Sequence, residues 1–352
     1  MTDILNKYIC LNPFYHLEIY DFGVYCCCNS WNNTKIGNLG KLNEIHKNDS
    51  VLKKIQDSVL DGSYSYCNKN NCPFLLDLIH SGRVGHLFVE KDKTDISELY
   101  NLSSNLSLKL CFDQSCNLTC PSCRTKVIMA NNEEREIFND NFIEIIQIFG
   151  KKTKSLYISG SADPFASKTF RDFLINFEED DFPILENIYI HTNGQLLNVQ
   201  MWNKISKVHK YIKYIEVSID AATEETYSKV RRGGSWNKLL KNLEFIISIP
   251  SIIKFSFSFV VQDTNYKEME YFIELITKMI GTKDYTIYFN KILNWGTYSN
   301  KEFNEKQVFK EFHPEFNNFL IELNKIVNTH NTHIDMPDII SKYSLKGIKR
   351  II

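Results

Sequence analysis

From about Leu108 onward the chain alternates short apolar runs with amphipathic helical stretches, and this rhythm narrows the fold more than any other feature. The apolar runs predict strands over 108–113, 155–159, 187–191, 215–220, 254–261 and 285–292. Between and after them, helical spacing predicts helices over 134–149, 168–177, 201–207, 236–248, 267–280 and 313–328. In the first of these, Ile137, Phe142, Ile145, Ile146 and Phe149 recur near helical spacing. Strand–helix alternation at this rhythm argues for βα units around a parallel sheet. Six strands suit a partial barrel or an open α/β sheet, and the pattern alone does not choose between them.

The first hundred residues read differently. Leu17–Ile19 and Val24–Tyr25 flank Asp21-Phe22-Gly23, a hairpin signal. Ile36-Gly37-Asn38 follows, then a predicted helix over 44–60 and the cysteines Cys67 and Cys72. A small, loop-rich unit of this kind usually needs a staple, and a metal cluster is a natural one. The expected organisation is 1–100 as a cysteine-rich unit, 101–300 as the α/β body, and 301–352 as a C-terminal helix and tail.

The ten cysteines are clustered: Cys10, Cys26, Cys27, Cys28, Cys67 and Cys72, then Cys111, Cys116, Cys120 and Cys123, with none after that. Scattered buried thiols would not produce this pattern, which suggests metal sites in the first third. No secretory signal is visible, so a cytoplasmic chain with few structural disulfides is expected. The net charge of −1, from 41 basic and 42 acidic residues, shows no basic surplus for nucleic acid. No run of roughly 18 uncharged apolar residues offers a membrane span.

Cys116-Asn117-Leu118-Thr119-Cys120-Pro121-Ser122-Cys123 follows the 108–113 strand with C-x3-C-x2-C spacing. Three thiolates in so short a loop can wrap one cluster, each sulfur reaching a different iron. A [4Fe–4S] cluster normally takes four cysteines, so three leave one iron open to a substrate or cofactor. Zinc is the alternative, although structural zinc sites favour paired C-x2-C knuckles and a fourth ligand.

With this triplet the segment from about Leu108 to Ile292 resembles the radical S-adenosylmethionine superfamily. The resemblance implies a partial (β/α)6 TIM-like barrel and a [4Fe–4S] cluster on Cys116, Cys120 and Cys123. The open iron would bind the amino and carboxylate groups of S-adenosyl-L-methionine. Cleavage of the cofactor would give a 5′-deoxyadenosyl radical that removes a substrate hydrogen. The resemblance also implies an external electron donor such as a flavodoxin or ferredoxin. Ser159-Gly160-Ser161-Ala162-Asp163-Pro164 stands where the family usually has G-G-E-P, which assigns Gly160, Ser161, Ala162 and Asp163 to the methionine amino group. His191-Thr192-Asn193-Gly194 is similar to the T-N-G turn, which adds Asn193. Ser218 and Asp220 would face the cofactor ribose or carboxylate, and Arg231, beside Arg232, the methionine carboxylate. Asn265 is a further candidate. Ser122 stands where the family often has an aromatic residue.

The early cysteines resemble the auxiliary-cluster domain called SPASM, placed here before the barrel. That resemblance implies a second [4Fe–4S] cluster on Cys10, Cys27, Cys67 and Cys72. A V-Y-x-C reading selects Cys27, whereas counting from Gly23 selects Cys28; Cys27 is taken. A zinc staple is the alternative. Cys111 is a candidate catalytic hydrogen donor, or else a small buried hydrophobe. Relatives with this auxiliary domain often modify peptides by epimerisation, crosslinking or oxidation, and others act on saccharides or small molecules. A non-catalytic iron–sulfur or zinc-stapled protein is the reading from another class.

Overall fold

The computed structural model describes residues 2–45, 50–101 and 104–347. The chain divides into two compact units. The first comprises Met1–Gln114, Ala130–Ala162 and Lys168–Tyr189; the second comprises Ser115–Met129, Asp163–Ser167 and Ile190–Ile352. Both are α/β, and most of their strand pairs are parallel.

In the first unit, Leu106–Leu110 lies parallel to Thr153–Ile158 on one side and to His16–Tyr20 on the other. His16–Tyr20 also forms the expected hairpin with Gly23–Tyr25. The hairpin thus extends the parallel sheet, a pairing across about ninety residues that no local signal announces. Tyr8–Cys10 and Phe88–Glu90 form a separate antiparallel pair. Helix Asn132–Phe149 starts at a capping box, in which Asn131 accepts from the Glu134 amide while the Glu134 carboxylate accepts from the Asn131 amide. Phe142 on its buried face meets Phe112, ring to ring at 5.8 Å.

The expected helix over 44–60 is shorter. A 3-10 turn covers Leu42–Glu44, residues 46–49 lie outside the described part, and the α-helix runs Val51–Leu60 from its Ser50 cap. A helix not expected from the sequence, Pro73–Ser81, starts on a proline and stops at Gly82 in the left-handed conformation.

In the second unit, Ile212–Ser218, Lys254–Val261, Tyr285–Lys291 and Thr332–Ile334 pair in that order, all parallel. The last strand was not expected. Lys254–Val261 and helix Trp236–Ser248 fall on the residues read from the sequence. The two faces of these strands differ sharply. Phe255, Phe257, Phe259, Val217, Ile287 and Phe289 are fully buried. Phe259 meets Phe272 of helix Met269–Ile280 at 5.0 Å. Each such phenylalanine contributes ~1.5–3 kcal/mol by its burial. The alternating positions are polar: Glu216, Ser218, Ser256, Ser258, Thr286 and Tyr288. Register aligns Ser218, Ser258, Tyr288 and His333 in one row. Among the described residues, no helix is long and apolar enough to cross a membrane.

Candidate functional site

The cysteine loop belongs to the second unit. Cys116 is pinned by its amide, which donates to the Ile128 carbonyl at 2.8 Å. Further on, the amides of Cys123 and Arg124 both donate to the Cys120 carbonyl, at 2.9 and 3.0 Å, and coil the loop into a turn. Cys116 and Cys120 are buried around Leu118, whereas Cys123 is exposed. The backbone after helix Glu224–Val230 docks on this loop. Thr119 donates its amide to the Arg232 carbonyl at 2.9 Å, and Arg232 Nε donates to Thr119 Oγ1 at 3.1 Å. Gly233, at φ +92°, passes close to Asn117 and Leu118.

A side-chain nitrogen donor reaches each of the three sulfurs, and the Leu118 amide also reaches Cys116. Asn193 Nδ2 lies 3.7 Å from Cys116 Sγ, Arg231 Nη1 3.8 Å from Cys120 Sγ, and Arg124 Nη2 3.5 Å from Cys123 Sγ. Burial pushes the Cys116 and Cys120 thiols up, and Arg124 and Arg231 respectively oppose that shift. Burial works against the Arg124 charge, yet the sulfurs of Cys123, Cys116 and Cys120 beside it raise its pKa overall.

These donors are held from behind. Asp163 is fully buried, and its carboxylate accepts from Thr192 Oγ1 at 2.7 Å and the Asn193 amide at 2.9 Å. It also accepts from the amides of Phe165 and Ala166. Burial raises its pKa, and these donors hold the rise back. Asp163 is therefore a clamp on the Thr192-Asn193 turn. Gly194 completes the turn at φ +75°, where an added Cβ would come within 2.7 Å of Leu239. Asp220 sits at φ +62°, a strained conformation for this residue type, and its carboxylate accepts from the Val260 amide at 2.8 Å. Asp220 and Arg231 form a largely buried ion pair at 2.8 Å. Both were expected to face a cofactor; here they face each other, and Arg231 Nε is buried with no partner. Asn265 spends its amide on the Asp220 and Val260 carbonyls. Ser218 Oγ bonds His191 Nε2 at 2.7 Å and Ser258 Oγ at 3.0 Å. Glu216 lies 3.6 Å from the same histidine nitrogen.

The remaining expected positions lie in the first unit. Ser159 turns the strand end at φ +73°. Gly160 faces Lys109 and Cys111, where a Cβ would come within 2.9 Å of the Lys109 side chain. Ser161 Oγ donates to the Cys111 carbonyl at 2.8 Å, and the Ala162 amide donates to Ser159 Oγ at 3.2 Å. Cys111 is buried with Tyr20 and Tyr25. Burial pushes its thiol up to about 12, with Lys109 opposing. Lys109 pairs with buried Glu18 at 3.2 Å, and Tyr20 donates to the same carboxylate at 2.5 Å.

A second cysteine group is also in the first unit. Cys10, Cys27, Cys67 and Cys72 line one small cavity of about 30 Å³, walled by apolar side chains such as Trp31 and Phe74. Asn12 Nδ2 lies 3.5 Å from Cys27 Sγ. Cys28 instead meets Ser30 Oγ at 3.1 Å. Burial pushes Cys67 up to about 12 and raises Cys10 and Cys27. Among the described residues, no three His, Cys, Asp or Glu side chains converge as a single ion would require. A cluster spreads its thiolates around several irons, a wider shell than four bonds of ~2.3 Å to one zinc ion.

Sequence reasoning missed Arg124, whose only signal is its place directly after Cys123, and the His191–Ser218–Ser258 chain, whose signal is polar alternation along two strands. Of the expected residues, Asn193 and Arg231 each reach a sulfur of the cysteine loop, and Asp220 pairs with Arg231.

An α/β body with three thiols on a loop, each met by a side-chain nitrogen donor, is the setting of an iron–sulfur protein. Residues 112–276 match the family model described as Radical SAM superfamily. No curated protein matches the chain. Among solved structures, it is similar to TYW1 with a lysine-pyruvate adduct bound (14% identity, TM-score 0.39, covering 62% of this chain and 70% of that one). It is also similar to the FeFe-hydrogenase maturase HydG from Carboxydothermus hydrogenoformans (13%, 0.40, 72% and 63%). A third is the radical S-adenosylmethionine methyltransferase TsrM from Kitasatospora setae (10%, 0.38, 58% and 36%). The chain thus spans less than two thirds of HydG and TsrM.

Proposed function

We propose that this protein is a radical S-adenosylmethionine enzyme that holds a [4Fe–4S] cluster on Cys116, Cys120 and Cys123. The observation that carries the reading is the loop itself: three thiols on one short turn, one of them exposed, each met by a nitrogen donor. The donor chemistry fits an anionic cluster, because thiolates that share one cluster need neighbouring positive charge or N–H groups. When bound, the cluster and its cofactor supply one-electron cleavage of a sulfonium C–S bond and abstraction of a substrate hydrogen. The chain's own residues do the rest. Asp163 fixes the Asn193 turn, and Asp220 fixes Arg231. Arg231 Nε, buried with no partner, is the group left to meet a cofactor carboxylate. The strand end at Gly160, Ser161 and Ala162 is assigned to the methionine amino group.

The polar strand face of the second unit supports a polar, hydrogen-bonding substrate. A peptide is the leading class, modified by epimerisation, crosslinking or oxidation, and a saccharide is the second. The cavity lined by Cys10, Cys27, Cys67 and Cys72 supports a second [4Fe–4S] cluster in a SPASM-like unit over 1–100. Cys111, buried beside Gly160, is assigned as the candidate hydrogen donor to a substrate radical, with a small buried hydrophobe as the alternative.

Anaerobic reconstitution tests the reading. Two clusters of this type require about eight irons per chain. Dithionite with S-adenosylmethionine should then yield 5′-deoxyadenosine. A chain that binds iron yet yields none of this product would be an electron carrier, and the enzyme reading would be withdrawn.

A further inference from the structure

The donors around the cysteine loop point to a role distinct from gripping the cofactor. We propose that Arg124, Arg231 and Asn193 are positioning residues that raise the reduction potential of the cluster, one donor on each of its three sulfurs. This rests on the cluster assignment above.

The geometry is specific. The three donors come from three places: the residue after the last cysteine, the turn after strand Asn187–Thr192, and the end of helix Glu224–Val230. Each makes its hydrogen-bond contact to a different sulfur, and the Arg124 charge also reaches Cys116. Arg124 and Asn193 are buried, and Arg231 nearly so, which limits the water that would otherwise screen them. Two of them are held by neighbours: Arg231 by Asp220 at 2.8 Å, Asn193 by the Asp163 contact to its amide and by Asn117 Oδ1 at 3.0 Å. Adding one electron to the cluster makes it one unit more negative, with the electron supplied by dithionite or the physiological donor. An N–H group or guanidinium aimed at a thiolate stabilises the reduced form more than the oxidised one, so the potential rises. The two arginines act through charge as well as hydrogen bonding, so their effect should exceed that of Asn193.

The test is an EPR-monitored redox titration of the reconstituted protein, without S-adenosylmethionine, using dithionite against mediators. Arg124→Gln and Arg231→Gln should each make reduction about tenfold less favourable, a fall of about 59 mV for one electron. Arg124→Lys should recover part of the loss. Arg135→Gln, on the exposed face of helix Asn132–Phe149, should leave the potential in place. Arg231→Gln leaves Asp220 without its cation and could unfold the chain; Arg124→Gln, read beside Arg124→Lys, then decides. Potentials that stay at the wild-type value in Arg124→Gln overturn the inference, even where the cluster assembles and cleaves the cofactor. Failure of the wild type to assemble any cluster overturns the earlier reading instead.

Discussion

The two cysteine groups are opposites in their surroundings. Around Cys10, Cys27, Cys67 and Cys72 the walls are apolar, Asn12 donates to Cys10 and Cys27, and burial pushes the Cys10 and Cys67 thiols up against the opposing Asn12 and Lys69. Around Cys116, Cys120 and Cys123 two guanidiniums and an amide reach the sulfurs, and carboxylates hold those donors in place. An apolar shell disfavours added negative charge, whereas a ring of donors favours it. The comparison teaches a difference in electrostatics: the first group is set in an apolar wall, and the second is ringed by donors that favour added negative charge on the sulfurs.

The sharpest way to break this contrast is replacement of Cys116, Cys120 and Cys123 together by alanine. 5′-Deoxyadenosine formation should vanish, and iron should fall by about half, to about four per chain. Loss of all the iron would show that the two groups are not independent. Next comes the choice of ligand in the apolar cavity. Cys27→Ala should lose the iron of that group, while Cys28→Ala, whose thiol meets only Ser30 Oγ among the contacts above, should keep it. The opposite result would move the site by one residue.

Asp163→Asn should lower stability by about 1–3 kcal/mol in a chemical-denaturation measurement, because an amide NH2 then faces donors that a carboxylate accepted. An unchanged midpoint would remove the clamp from the description.

The smallest effect concerns pH. Burial alone would raise the Glu18 pKa, but Lys109, His16 and Tyr20 hold it below its ordinary value of 4.5. Its contribution to stability is therefore complete above about pH 4.5 and is lost as pH falls below that value. Glu18→Gln should weaken that acid sensitivity, read as a smaller difference between urea midpoints at neutral and acid pH.

Much of the body was legible in the sequence because its signals are local. Phenylalanine at 255, 257 and 259 announces a strand with one buried face, and the 236–248 helix carries its own Ser235 cap and apolar stripe. The cysteine loop was legible for the same reason, since three sulfurs within eight residues need no distant information. The pairing of His16–Tyr20 with Leu106–Leu110 was not legible, because parallel register is decided by packing across about ninety residues. Strand Thr332–Ile334 was missed because three residues of intermediate burial carry no periodic signal.

The residues Asn193, Asp220 and Arg231 show where sequence stops. Their spacing after successive strands brought them to the cysteine loop, as βα alternation requires. Which atom each side chain meets depended on neighbours remote in the chain: Asp163 turned Asn193 toward Cys116, and Asp220 held Arg231 beside Cys120. The sequence by itself determined an α/β body, its strand faces, and three thiols within reach of one cluster, because backbone periodicity and short-range spacing are written locally. Only the tertiary structure decided which donors face those thiols and which four early cysteines share a cavity, because buried polar groups choose partners by three-dimensional proximity, and proximity across a hundred residues is a property of packing.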